Sequence, residues 1–296
     1  QEPAKIVPCI FQLKIALKDV TDSIRYAECI QSAILPPVEK IKKALPGTFV
    51  LYKPKNIVSG DFYFFTQVGN FNVLAVCDCT GHGVPGAFMS LIGSQLLNEI
   101  VVDKSVTSPA EVIEHLSAGV VHALGEAGAT GERKDGMDMA LCVFQKPAPG
   151  SSQREGSANA QTSKESVMTL QYAGAHNPLY IVRMGAHIDE QEELHGFEEI
   201  KADRQPVGYN QNRTPFTNHE ITLHKGDALY MASDGYQDQF GGKIGKKFMS
   251  KRFRKLLVSI YEKPAEEQRC LLDKAIEAWK DEGEQTDDIV VIGMKV

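Results

Sequence analysis

The order in which strand-like and helix-like runs follow one another limits this chain more than any other feature. From residue 48 onward, short apolar runs of strand length come first, at 49–52, 61–66 and 71–76. Gly69-Asn70 between the last two reads as a hairpin turn. Two helix patterns follow, at 87–102 and 109–125, the second with Ser108 as its expected N-cap. Strand-like runs resume at 139–144, 166–173, 179–183, 216–223 and 227–232. Helix patterns then cover 246–259 and 265–280, and a final strand spans 289–295. This is not a regular β-α-β alternation, which argues against a parallel doubly wound sheet. The order predicts antiparallel sheets with helices added in blocks, an α+β layered domain.

Two stretches fall outside that pattern. Residues 126–136 form a Gly-rich polar loop. Residues 146–164 are rich in Ser, Ala, Gly, Gln and Pro, cannot bury a core, and read as a mobile insertion between two strands.

Residues 10–35 read as a helix, stopped by Pro36-Pro37. Ile10, Leu13, Leu17, Val20, Ile24, Ala27, Gln31 and Ile34 follow a heptad spacing with one polar member, Gln31, able to set register. The seam serves equally a helix packed on its own domain and a dimerising coiled coil. The expected division is therefore an N-terminal helical linker over 1–45 and a larger domain over 46–296.

Bulk properties exclude some function classes. Acidic residues outnumber basic ones, 38 to 32, and the short basic runs at 246–247, 251–252 and 254–255 read as a solvated helix face, so nucleic-acid binding is not expected. No apolar run reaches the roughly 20 residues of a membrane span, and no secretory signal is present. Cys9, Cys29, Cys77, Cys79, Cys142 and Cys270 lack the spacing of a disulfide framework and read as reduced, mostly buried thiols of a cytoplasmic protein. The start at Gln1 reads as a piece of a longer chain, with room for an upstream sensor domain and a membrane attachment.

Aspartates sit at the ends of apolar runs. Asp61 opens one, Asp78 closes 73–76, Asp234 closes 229–233, and Asp287-Asp288 precede 289–292. Carboxylates attached in this way belong at the lip of a sheet. Gathered at one edge, they repel one another unless cations neutralise them, and hard oxygen ligands favour Mg²⁺ or Mn²⁺. Two competing motifs share this region. Gly81-His82-Gly83-Val84-Pro85-Gly86 matches the dinucleotide fingerprint of an oxidoreductase, yet Asp78 would oppose a pyrophosphate and no β-α-β units follow. Cys77-x-Cys79-x-x-His82 lacks a second pair to complete a zinc site.

The same residues resemble the PPM class of metal-dependent protein phosphatases (protein phosphatase 2C-like), in its bacterial SpoIIE/RsbU branch. The likeness runs from about residue 20 to 296. Its landmarks are Asp22 to Ala27, Ser59-Gly60-Asp61-Phe62-Tyr63, Cys77-Asp78-Cys79-Thr80-Gly81-His82-Gly83, Gly136-Met137-Asp138, Ala175-His176-Asn177-Pro178, Ser233-Asp234-Gly235 and Thr286-Asp287-Asp288. Ser59 stands where the family often has glycine, and Phe64 where many members carry an acidic residue.

The resemblance implies a four-layer α-β-β-α sandwich, two antiparallel sheets flanked by helices, holding two Mn²⁺ or Mg²⁺ ions at one end. It places Asp61, Asp78, the backbone carbonyl of Cys79, Asp234 and Asp287 at the metals, with Asp288 the alternative to Asp287 and Asp78 as the bridge. The implied activity is hydrolysis of phosphoserine or phosphothreonine on a partner protein, an anti-anti-sigma (STAS-like) regulator in partner-switching signalling. His82 is a candidate proton donor or a structural loop residue, His176 reads as structural, and Asp138 is a candidate for a further cation or water. A catalytically inactive phosphatase-like binding module is the alternative, and retention of the four matched aspartates argues against it.

Overall fold

The computed structural model describes residues 3–125, 135–146 and 167–296. Helices α1 (Pro3–Ile34) and α2 (Val38–Ala44) precede strands β1 (Thr48–Lys53), β2 (Phe62–Val68) and β3 (Phe71–Cys79). Helix α3 (Gly83–Asn98), prolonged by a π-helical turn over Glu99–Asp103, and α4 (Pro109–Ala123) come next. Strands β4 (Gly136–Gln145), β5 (Val167–Ala175), β6 (Leu179–Ile188), β7 (Leu194–Ile200), β8 (Val207–Gly208), β9 (His219–His224) and β10 (Ala228–Ala232) follow. One helical turn, α5 (Gly235–Asp238), leads to a small ribbon of β11 (Phe240–Gly241) and β12 (Lys246–Lys247). Helices α6 (Ser250–Ile260) and α7 (Ala265–Lys280) and strand β13 (Ile289–Lys295) complete the chain.

One sheet has the order β1-β13-β10-β6-β7, the other β2-β3-β4-β5-β9, with β8 joined to β4. Every ladder between these strands is antiparallel. Period-two alternation stacks the layers. In β3, Val73, Ala75 and Cys77 pack with residues of α3 and α4, while Leu74 and Val76 face the other sheet. In β13, Val290 and Ile292 point between the sheets, while Ile289 and Val291 pack with Phe253, Leu257, Leu272 and Ile276 of α6 and α7. The result is the α-β-β-α sandwich that the resemblance implied.

The amino-terminal segment is divided in its allegiance. Ile41 and Leu45, from α2 and the residue after it, belong to the core between the sheets. In α1 the heptad positions Leu13, Leu17 and Val20 are 68%, 65% and 57% exposed, so that stretch packs on no described residue. Gln31 corrects the sequence reading. It is buried, and its amide donates to the Ser59 carbonyl (2.6 Å) and the Ser90 hydroxyl (2.8 Å) while accepting from the Ser59 N–H (3.0 Å). Its role is to anchor α1 to the sandwich, not to set a helix-pair register.

Other expectations need revision. The helix expected over 246–259 begins only at Ser250, because Gly245 and Met249 adopt φ of +59° and +75°. Lys246 and Lys247 therefore lie in β12, not on a helix face, and Lys247 pairs with Asp238 (2.7 Å). Strand β7 was not anticipated; among the described residues it is a polar edge strand paired only with β6, so one face carries little apolar signal. Ser108 holds the N-cap position of α4 but makes no side-chain cap bond. Among the described cysteines Cys77, Cys79 and Cys142 are buried, Cys29 is exposed and all are free. Most of the two loop stretches, 126–134 and 147–166, lies outside the described residues. Among the described residues no helix is long and apolar enough to cross a membrane.

Candidate active site

Antiparallel pairing brings the aspartates to one edge. Asp61 immediately precedes β2, Asp78 lies near the end of β3, and Asp138 near the start of β4, directly opposite Asp78 in the register. On the facing sheet Asp234 follows the end of β10, and Asp287-Asp288 precede its neighbour β13. The two edges meet: the Asp234 N–H donates to Asp78 Oδ2 at 3.3 Å. The sequence thus carried enough pattern to locate all of these groups, and the fold brings them together.

Close packing of backbone makes the meeting possible. A Cβ on Gly86 would lie 2.3 Å from the Gly81 carbonyl oxygen and 2.7 Å from Gly60 Cα. The loop 81–86 therefore rests on the chain just before Asp61, an approach only glycine allows. Gly235 is pressed in the same way against the Asp288 carbonyl, where a Cβ would lie at 2.0 Å.

Asp287 and Asp288 divide their work. Both carboxylate oxygens of buried Asp288 accept backbone N–H groups, from Lys55 and Gly60, each at 2.7 Å. This carboxylate holds the loop that leads into Asp61. Asp287 Oδ1 accepts only the Asp288 N–H (2.9 Å), and its other oxygen has no hydrogen bond among the described residues.

The electrostatics confirm a crowded rim. Burial, then the charge of Asp78, raises the Asp61 carboxyl well above the usual carboxylate range, against a lowering contact from Ser233. Asp78 is raised by burial and then by Asp234, with Asp138 and Asp287 adding to it. Burial and then Asp238 and Asp287 raise Asp234. Among the described residues Asp61 Oδ2 is buried with no hydrogen-bond partner. An orphaned carboxylate oxygen among other carboxylates, with no cationic side chain bonded to it, fits a hard divalent cation. Among the described residues no three His, Cys, Asp or Glu side chains already stand in ligating geometry.

The other expected residues fall into place around this rim. Cys79 and Cys77 bury their thiols in the helix-side core, away from exposed His82, so the three make no zinc site; only the Cys79 backbone is available to the edge. His82 stands at the N-cap position of α3 and pairs through Nδ1 with Asn56 Oδ1 at 3.0 Å. His176, at φ +55°, binds Asp138 Oδ1 at 2.8 Å and so positions that carboxylate. The glycine fingerprint does follow a strand and open a helix, but β3 pairs antiparallel with both neighbours and forms no dinucleotide crevice.

A family model for stage II sporulation protein E (SpoIIE) matches residues 72–296. No curated protein sequence matches the chain. Among solved structures, the SiaA-PP2C domain of Pseudomonas aeruginosa superposes with a TM-score of 0.76 at 27% identity, over 95% of this chain and 98% of that one. The RsbU and RsbW domains of a Mycobacterium tuberculosis protein give 0.56 at 19% identity, over 85% of this chain and 60% of theirs. RsbX in complex with magnesium gives 0.50 at 14% identity, over 84% of this chain and 94% of that one. The latter two share the fold. The chain belongs to the SpoIIE family, and its class is that of the PP2C-type metal-dependent protein serine/threonine phosphatases.

Proposed function

We propose that this chain hydrolyses phosphoserine or phosphothreonine on a partner protein with two Mn²⁺ or Mg²⁺ ions held by Asp61, Asp78, the Cys79 carbonyl, Asp234 and Asp287. The observation that carries the reading is the orphaned, buried Oδ2 of Asp61 among carboxylates from both sheets. Asp78 touches the Asp234 turn and interacts electrostatically with Asp61, Asp234 and Asp287, which supports it as the bridging ligand. Asp287 is preferred to Asp288 because Asp288 is committed to backbone N–H groups.

When bound, the ions supply the acidity that makes water a nucleophile at neutral pH and the positive charge that offsets the phosphoryl oxygens. The chain does the rest. Helix α3 begins beside the rim with no side-chain cap and no acidic residue in its first turn, so its leading N–H groups favour phosphoryl oxygen. His82 stands on the same loop and donates a proton to the departing serine oxygen. Asp288 and the glycine contacts hold the loops so that the carboxylates keep their places.

The proposed partner is a phosphorylated STAS-like regulator, as the resemblance to the SpoIIE/RsbU branch implies; among the solved neighbours, one structure holds RsbU and RsbW domains. The exposed apolar stretch Leu13, Leu17 and Val20 is read as the seam of a parallel homodimer, the shaft through which an upstream sensor would act in the cytoplasm. Leu17→Glu tests it by sedimentation: a dimer that becomes monomeric supports the seam, and a wild-type monomer removes it. For the chemistry, p-nitrophenyl phosphate hydrolysis is followed while manganese is titrated. Activity that saturates with manganese and is lost in Asp78→Asn is expected; metal-independent activity, or none, overturns the proposal.

A further inference from the structure

A cavity of about 410 Å³ opens directly beside the rim and shares Asp138 and Asp234 with it. Its remaining walls are chemically different. Lys201 and Arg204, on the segment after β7, line it and are exposed. Neither forms an ion pair among the described residues. Arg254, from α6, also lines it and pairs through Nη2 with Glu199 at 2.8 Å.

Two nitrogens in these walls lack partners. Asn177 is 7% exposed and among the described residues its Nδ2 is buried without an acceptor; Arg254 Nε is likewise buried without one, although the same guanidinium reaches Glu199 and lies against the Tyr180 hydroxyl. Unpaired buried donors are uncommon and costly, and two on residues lining one cavity call for an acceptor arriving from outside. Asn177 is held there by backbone: Tyr172 Oη donates to its carbonyl at 2.7 Å, and His176 before it is in the left-handed region. Glu199 offsets Arg254, and His176 is bonded to Asp138, which leaves Lys201 and Arg204 as the uncompensated charges outside the acidic rim.

We propose that this cavity is a specificity subsite that receives an acidic side chain of the phosphoprotein, next to the residue being dephosphorylated. The inference rests on the phosphatase reading and deepens it. A carboxylate entering here meets the charges of Lys201 and Arg204, and a small turn of Asn177 and Arg254 brings their free N–H groups onto its oxygens. Contiguity with Asp234 sets the distance: a side chain in the cavity belongs to a residue flanking the phosphorylated one. The site therefore selects partners by sequence around the phosphate, a discrimination that the rim alone does not provide.

The test compares two phosphoserine peptides as substrates of the manganese-loaded full chain, one flanked by aspartates and one by alanines. The acidic peptide is expected to show kcat/KM about tenfold higher, through KM. In Lys201→Glu/Arg204→Glu, two exposed positions whose change leaves the core intact, the ratio falls to about one. Binding of a fluorescein-labelled, unphosphorylated acidic peptide, read by anisotropy without turnover, weakens in parallel. Equal kcat/KM for both peptides, or a preference the double variant retains, overturns the subsite. If inhibition by inorganic phosphate weakens in step with both peptides, the cavity holds the phosphoryl group itself and the flank reading is overturned. If neither peptide is hydrolysed, the phosphatase reading falls, and anisotropy alone decides whether the cavity binds acidic segments.

Discussion

Asp287 and Asp288 are adjacent and chemically identical, yet their surroundings assign them opposite kinds of failure. In Asp288→Asn one carboxylate oxygen is retained and the other becomes an NH2 group facing a backbone N–H. One of the two bonds, to Lys55 N or Gly60 N, is lost and two donors are set against each other. A hydrogen bond to a charged group contributes about 1.5–3 kcal/mol, and a buried unpaired donor adds to the loss, so the expected cost is about 2–4 kcal/mol. For a chain of this size that corresponds to a Tm lowered by about 4–8 °C. Asp287→Asn keeps the oxygen that accepts the Asp288 N–H, so its Tm should move by about 1 °C or less. Its affinity for manganese should fall at least about tenfold, or ~1.4 kcal/mol. Thermal unfolding followed by circular dichroism in EDTA keeps bound ions from contributing to Tm. Isothermal titration with manganese reads the affinity. The reasoning is refuted if Asp288→Asn melts with the wild type, or if Asp287→Asn loses stability while keeping its affinity.

The raised carboxyls of Asp61 and Asp78 predict how the metal-free protein responds to pH. The folded state keeps protons that the unfolded chain releases near pH 4, so the pair's contribution to stability falls as pH rises from there through the raised values. The Tm gain on adding manganese should grow over the same window, because cation and proton compete for the same oxygens; a gain that shrinks with rising pH contradicts this. Gly86→Ala places a methyl against the Gly81 carbonyl and Gly60, neither of which can swing aside, and should cost about 1–3 kcal/mol. Its kcat on p-nitrophenyl phosphate should drop as the loop lifts, and an unchanged rate with an unchanged melt would exclude the proposed close approach. His82→Ala should lower kcat/KM on a phosphoserine peptide by about a hundredfold and affect p-nitrophenyl phosphate far less, since that leaving group needs little protonation. Equal losses on both substrates would assign His82 to the Asn56 contact instead.

The layers were legible because each strand carries its own two-sided pattern, as the alternation of Val73, Leu74, Ala75 and Val76 between two cores shows. The aspartates were legible because each interrupts an apolar run at its end. Three kinds of information were not local. Gln31 reads as a flawed heptad position until its partners Ser59 and Ser90, distant in sequence, are known. Asp287 and Asp288 are indistinguishable until the N–H groups of Lys55 and Gly60 are placed. The cavity lined by Asn177 and Arg254 joins the segment before β6 to helix α6, and no motif connects them.

A cluster of like charges at a sheet edge is a standing source of repulsion, and it persists only where the backbone beneath it has no alternative position. Here the two residues before the first ligand candidate are pinned. Ser59 is held on both its N–H and its carbonyl by Gln31, Gly60 is held by Asp288 and wedged against Gly81 and Gly86, and Asp61 enters β2 directly after them. The partner strand carries Asp78 beside its last residue; that carboxylate is tied to the Asp234 turn, and the turn is pressed on the backbone of Asp288. The restraints form a closed circuit running from α1 through both sheets and back to Asp288. Slack introduced at any point of that circuit lets the carboxylates move apart and relieve their repulsion. The same repulsion that makes the rim a good host for cations therefore makes it sensitive to distant packing, and Gln31 is the point at which helix α1 enters that balance.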